Sequence, residues 1–213
     1  LADRLDTIVG FFHVGIIPTG SEDPFALRRH ASAVVRILVE GPIRLSLTEA
    51  IGHAVSLVEA QGFSAASPRG AGDKRAGYAD PLEFILERVR FYGRTLHSLR
   101  DDVMDAVLKS ASGRASDLVD LLARMKALQV IAGRPEFDPR MVGFKRANRL
   151  VEKEQWTQEA VDPRLFQHGT ESDLHKLLLE AQASVPAALE QGEYPKALEA
   201  LVAMKPAIDG FFV

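Results

Sequence analysis

The sequence predicts an all-α protein, and three observations carry that reading. Helix-start signals recur along the whole chain, apolar residues follow them at three- and four-residue spacing, and alternating β-branched runs of the kind that mark strands are nearly absent. The start signals are uniform in kind. Asp23-Pro24, Asp80-Pro81, Asp138-Pro139 and Asp162-Pro163 each set a carboxylate acceptor before a residue whose fixed φ and missing N–H suit the first helical position.

Taken in order, Leu1–Phe12 is already apolar-periodic at its first residue, so a helix is expected to be under way where the chain begins. Gly20 and Ser21 read as a turn before the Asp23-Pro24 start, with Arg28 and Arg29 one turn in. Ser46 stands three residues before Glu49, the spacing of a reciprocal capping box, and Asp80 before Glu83 and Thr170 before Asp173 repeat it or its close relative. Gly62–Ala79, GFSAASPRGAGDKRAGYA, has no hydrophobic period and breaks the pattern. Beyond it, Phe84, Val89 and Phe91 to Tyr92 form one apolar series. Leu118, Leu121, Leu122, Met125 and Leu128 form a second, and Leu174, Leu177, Leu178 and Ala181 a third. Gly192 ends a helix before the tight turn at Tyr194-Pro195. The expected organisation is therefore a helical part over 1–62, a linker over 63–79, and five or six helices over 80–213. Leu1 and the uncapped apolar close, PAIDGFFV, suggest a segment of something longer.

Composition sets limits on function. The 213 residues are 46% hydrophobic and 26% charged, ordinary for a globular chain and not for a disordered one. Without cysteine there is no disulfide and no thiolate zinc site, which fits a reducing cytoplasm. No apolar run approaches the roughly 20 residues needed to cross a bilayer, so no membrane role is expected. Net charge is −3, yet it is unevenly spread: 8 basic and 10 acidic residues over 1–84, 13 and 8 over 85–149, 5 and 11 over 150–213. A middle of +5 between flanks of −2 and −6 is a footprint for a polyanion, although solvated helix faces give similar imbalances.

The motif search is sparse. Asp3 and Asp6 in ADRLD lie three apart on one helical face, and this string resembles the last metal-ligand helix of the HD superfamily of phosphohydrolases. None of the six histidines is followed by Asp, so the rest of such a ligand set is not in this sequence and no metal ligand is assigned. Thr19-Gly20-Ser21 lacks the glycine spacing and the Lys-Ser/Thr ending of a P-loop and reads as a structural corner. His168 and His175 are two turns apart, too far for adjacent ligands, and Trp156 reads as a packing anchor. No catalytic residue is assigned.

LADRLDTIVGFF followed by GIIPTGSEDPFALRR resembles the β subunit of bacterial two-subunit glycyl-tRNA synthetases, in which LADKLDTLVG and IPTGSKDPFALRR are characteristic strings. FILERVRFYGR, RPEFDPRMVGFKRANRLVEKE and VDPRLFQHGTESDLHKLL follow that family's order and spacing, and KPAIDGFFV resembles the beginning of its closing PxVDxFFDxVMV. The departures are Glu22 where Lys is common, and an end before the last Asp and VMV. The resemblance implies the C-terminal part of a β subunit: the end of an HD-like helical domain over 1–62, then a DALR-type anticodon-binding bundle over 80–213. It implies tRNA(Gly) and an α subunit in an α2β2 assembly as partners, not DNA. It also implies cytoplasmic location, and ATP with Mg used on the α subunit rather than bound here.

The candidate RNA contacts come from the basic middle. Arg88, Arg90 and Arg94, with Phe91 and Tyr92 beside them, offer charge for phosphates and a ring for an unstacked base. Lys145, Arg146 and Arg149 flank a stripe of Met141, Phe144, Ala147, Leu150 and Val151, and Asn148 is a candidate for reading a base edge. Against this stand core rings and solvated arginines. The alternatives from other classes are an HD-type metal-dependent phosphohydrolase fragment and a helical module that docks the α subunit without binding RNA.

Overall fold

The computed structural model describes residues 1–18, 22–63, 80–110, 117–134, 137–153 and 161–212, with only the helical backbone at 137–141. Among the described residues the secondary structure is helical throughout, as expected, with no strand. The α-helices are α1 (Ala2–His13), α2 (Leu27–Glu40), α3 (Leu47–Ala60), α4 (Pro81–His97), α5 (Asp101–Ser110), α6 (Leu118–Ala132), α7 (Phe137–Lys153), α8 (Gly169–Glu190), α9 (Tyr194–Ala203) and α10 (Lys205–Phe211). A 3-10 turn at Pro163–Leu165 precedes α8.

Local chemistry explains the starts. Asp80 caps α4, its carboxylate accepting from the Glu83 N–H at 2.8 Å with Pro81 in the first turn, and the Ser46 hydroxyl accepts from the Glu49 N–H at 3.3 Å. Asp23 acts at longer range. Pro24 and Phe25 form a turn, Ala26 turns left-handed at φ 56°, and the two Asp23 oxygens accept from the Leu27 and Arg28 N–H groups at 2.7 and 3.0 Å. The helix therefore begins three residues after the expected proline. At Asp162-Pro163 only a 3-10 turn forms, and Asp138-Pro139 falls inside the first turn of α7. The box expected at Thr170 and Asp173 is built instead around Glu171, which accepts from the backbone of Gln167 and His168 at 2.5 and 2.8 Å.

The chain forms two compact units, Leu1–Met125 and Lys126–Val213, whose boundary falls within α6. In the first, α1 packs on α2 and α3, and α4 packs mainly on α2 and carries α5 on its other flank. Its core is made by Leu5, Ile8 and Val9 of α1, Val34, Val35 and Leu38 of α2, Leu47, Ile51 and Val58 of α3, and Phe84, Ile85 and Val89 of α4. Phe12 meets Phe84 at 5.3 Å and Phe11 stacks on Phe25 at 4.3 Å. Residues 64–79 of the expected linker lie outside the described residues. Because the apolar face of α4 is buried on α2, the first compact unit continues past that segment to Met125.

In the second unit, α8 and α9 form a hairpin whose turn is made by Gly192 at φ 72°, and α10 packs on α7, α8 and α9. Ala181, Met204 and Ile208 centre its core, with Phe144, Leu174, Leu177, Val185 and Phe212 around them. Among the described residues, seven α-helices, α4 to α10, follow residue 80. Ser98 at φ 51° ends α4, and Pro206, which has no N–H, lies in the first turn of α10 just after α9.

Candidate nucleic-acid interface

The cations of α4 are held by the protein itself. Arg90 and Arg94 are four residues apart and both face the acidic start of α5. Arg90 pairs with Asp105 and lies 3.8 Å from Glu87, while Arg94 reaches Asp101 at 2.5 Å from Nη2 and 3.0 Å from Nε. The hydrogen bond from Arg90, and then its charge, hold the Asp105 carboxyl below the usual carboxylate range. Tyr92, expected to face a base, is 9% exposed and sits edge-on to His97 at 5.4 Å. Burial, followed by the nearby Glu40 charge, pushes its hydroxyl pKa up. The α4 set is therefore divided between cations paired with carboxylates and a ring that is buried. Its ring in contact with solvent is Phe91, 56% exposed, with the Arg88 guanidinium 6.0 Å from the ring centre.

The α7 set differs. Lys145 and Arg149 are exposed and make no ion pair among the described residues, and Arg146 lies over the Phe212 ring at 4.6 Å. Asn148, a candidate for reading a base edge, is exposed and donates one N–H to Glu152 at 2.7 Å. The expected apolar stripe is buried only near its start, where Gly143 and Phe144 meet α10. Leu150 and Val151 are 43% and 52% exposed, and the Met141 side chain is outside the described residues. Close approach at Gly143 seats the helix, so that Lys145 and Arg149, one turn apart, project from a supported backbone.

One participant was not legible in the sequence. Arg36 of α2 lies beside Arg88 and Phe91 along a groove of about 420 Å³ between α2 and α4, and it pairs with Glu40 at 2.9 Å. Nothing in the local sequence of α2 links it to a residue more than fifty positions away.

For metal chemistry, no three His, Cys, Asp or Glu side chains gather in ligating positions among the described residues. Asp3 is 85% exposed, 3.9 Å from Arg4. His168 stands at the start of α8, and His175 packs on the Phe166 ring at 5.4 Å. The Thr19–Ser21 corner and Trp156 lie outside the described residues. Among those described, no helix is long and apolar enough to cross a membrane.

Comparison with known proteins agrees with the sequence resemblance. The family model described as glycyl-tRNA synthetase beta subunit matches residues 1–109. Over the whole chain, the glycine–tRNA ligase beta subunit of Geobacter sulfurreducens is 40% identical, and those of Syntrophus aciditrophicus and Stutzerimonas stutzeri are each 36% identical. The chain spans 29% of the length of each of these relatives. With its first half matched by the family model and relatives aligned along all of it, the chain belongs to the glycyl-tRNA synthetase beta subunit family.

Proposed function

We propose that this segment is a tRNA grip of the β subunit, with α7 supplying the backbone contacts. The observation that carries the reading is the exposed pair Lys145 and Arg149, which answer no carboxylate among the described residues and sit beside Arg146 on one supported helix. Exposed cations of this kind recognise phosphate without sequence preference and set register for neighbouring base contacts. The segment then contributes affinity and anticodon discrimination through its C-terminal, DALR-type helices, in the cytoplasm. The ATP-dependent glycylation of tRNA(Gly) takes place on the α subunit of an α2β2 enzyme.

The test is charge reversal at Lys145, Arg146 and Arg149 together in the complete β subunit assembled with its partner subunit. tRNA affinity is measured across a salt series, with wild-type and anticodon-altered tRNA. Affinity should fall, and the log–log salt slope should flatten by roughly 0.7–0.9 for each phosphate that the variant no longer neutralises. Unchanged affinity and slope in a correctly folded variant would remove α7 from the interface. Val142, Leu150 and Val151, all exposed on α7, favour a second reading in which this helix docks the α subunit. Under that reading the same variant impairs subunit assembly and leaves tRNA binding by the β subunit alone intact.

A further inference from the structure

We propose that Phe212, in the turn that ends α10, is a positioning residue for tRNA binding: its ring holds the Arg146 guanidinium in place and leaves every N–H donor to a phosphate. This rests on the tRNA reading above and deepens it, dividing the three cations of α7 into two that stand in water and one that is held against a ring. The register of the two helices makes the contact. Ile208 and Asp209 lie against α7 at Gly143, where an added Cβ would come within 3.0 Å of each, and one turn further on in both segments the Arg146 guanidinium carbon sits 4.6 Å from the Phe212 ring centre.

The ring itself is fixed. Phe212 is half-buried, packs against the core cluster of Ala181, Met204 and Ile208, and meets the Phe211 ring edge-on at 5.2 Å. Arg146 is exposed, and no carboxylate pairs with it among the described residues. The kind of partner decides what a held arginine can still do. A carboxylate takes up donors and cancels charge, as Asp105 does for Arg90 and Asp101 for Arg94. An aromatic face attracts the cation through its quadrupole, uses none of the guanidinium N–H donors and leaves the full charge in place. An arginine side chain carries a large rotamer entropy, and much of it is lost when the guanidinium is immobilised on a phosphate. Contact with Phe212 takes part of that loss before tRNA arrives, which makes the ring a contributor to binding as well as to the core.

A double-mutant cycle reads this in the complete β subunit assembled with its partner subunit, with tRNA affinity taken across a salt series. Phe212→Leu, which keeps an apolar side chain against the core, should weaken binding about fourfold and leave the log–log slope unchanged, because the charge is still there. Phe212→Tyr, which keeps the ring, should bind as wild type does. Arg146→Ala should flatten the slope by roughly 0.7–0.9, and on that background Phe212→Leu should cost nothing more. Arg146→Lys, a change outside the core, keeps the charge without the planar face and should weaken binding several-fold at unchanged slope, so a result is obtained even where Phe212→Leu does not fold. Wild-type affinity in Phe212→Leu or in Arg146→Lys overturns the assignment. So does the same loss from Phe212→Leu with and without Arg146, which would mean that the ring acts only by seating α10. Absence of coupling alongside a clear effect of the triple charge reversal leaves the α7 grip standing without Phe212, whereas no effect of the triple reversal removes both.

Discussion

Two glycines in helices give opposite expectations for one substitution, and the contrast tests the seat of α7 directly. A Cβ added at Gly10 in α1 meets nothing within 4 Å, whereas one added at Gly143 in α7 lies 3.0 Å from both Ile208 Cγ2 and Asp209 Oδ1. Alanine is favoured over glycine in a helix interior by about 0.8–1.0 kcal/mol, so Gly10→Ala should stabilise the protein by about that amount. At Gly143 the same gain is opposed by overpacking, which costs about 1–3 kcal/mol. Ile208 is 5% exposed in the core cluster and has no room to retreat, and Asp209 is tethered to Lys205. The balance at Gly143→Ala is a loss of about 1 kcal/mol, and Gly143→Val, with two further methyl groups, should lose about 3 kcal/mol. Urea unfolding reads this: with a slope of about 2 kcal/mol per molar, Gly10→Ala shifts the midpoint up, and Gly143→Ala shifts it down by about 0.5 M. A midpoint raised equally by both substitutions would mean that α10 does not rest on α7 at this glycine.

Other positions give shorter tests. Asp23→Ala removes the acceptor for two N–H groups at the start of α2 and should cost about 1–2 kcal/mol in the same unfolding experiment, while an unchanged midpoint would leave those groups capped by something else. Glu171 is held below the usual carboxylate range by the His168 and then the Gln167 backbone N–H groups. Its stabilisation is therefore full above the ordinary carboxylate pKa and disappears as pH falls through the depressed folded value. Glu171→Gln should blunt the acid limb of the stability profile, and superimposable acid limbs would refute the cap. Arg94→Ala should leave tRNA affinity and salt slope as they are, because Asp101 already holds that guanidinium; a lower slope in the variant would return Arg94 to the RNA surface.

Much of the fold was readable because it depends on near neighbours. Asp80, Ser46 and Gly192 act within four residues of themselves, and the series Leu118, Leu121, Leu122 and Met125 is buried as its period requires. Helix phase also separates the rings of α4. Phe84, Ile85, Val89 and Tyr92 cluster on one side, and Phe91 is a 100° step from Tyr92 on the outward side, so periodicity alone distinguishes the buried ring from the exposed one. The partners of Arg90 and Arg94 are signalled too, by the acidic Asp101, Asp102 and Asp105 one helix later. What no local pattern carries is the meeting of Arg36 with Arg88 and Phe91, which requires α2 and α4 to pack. The same holds for the retreat of the α7 stripe: Leu150 and Val151 stay exposed because α10 covers only the Gly143 end.

The uneven charge of the sequence now has a physical division. Of the 13 basic residues over 85–149, several answer an acid close by: Arg90 and Asp105, Arg94 and Asp101, Arg100 and Asp102, Arg124 and Asp120. Such pairs tie α4 to α5 or brace single turns, and each one leaves a smaller local field for a polyanion. The excess of +5 is therefore not distributed over the region that contains it. It is expressed where acids are out of reach, and on α7 that leaves Lys145 and Arg149 in water beside a cation held on an aromatic ring. Counterion release depends on cations that a phosphate can reach, not on formal charge. If tRNA is gripped through α7 as proposed, reversing Lys145, Arg146 and Arg149 should remove a salt slope of two or three phosphates, far short of thirteen.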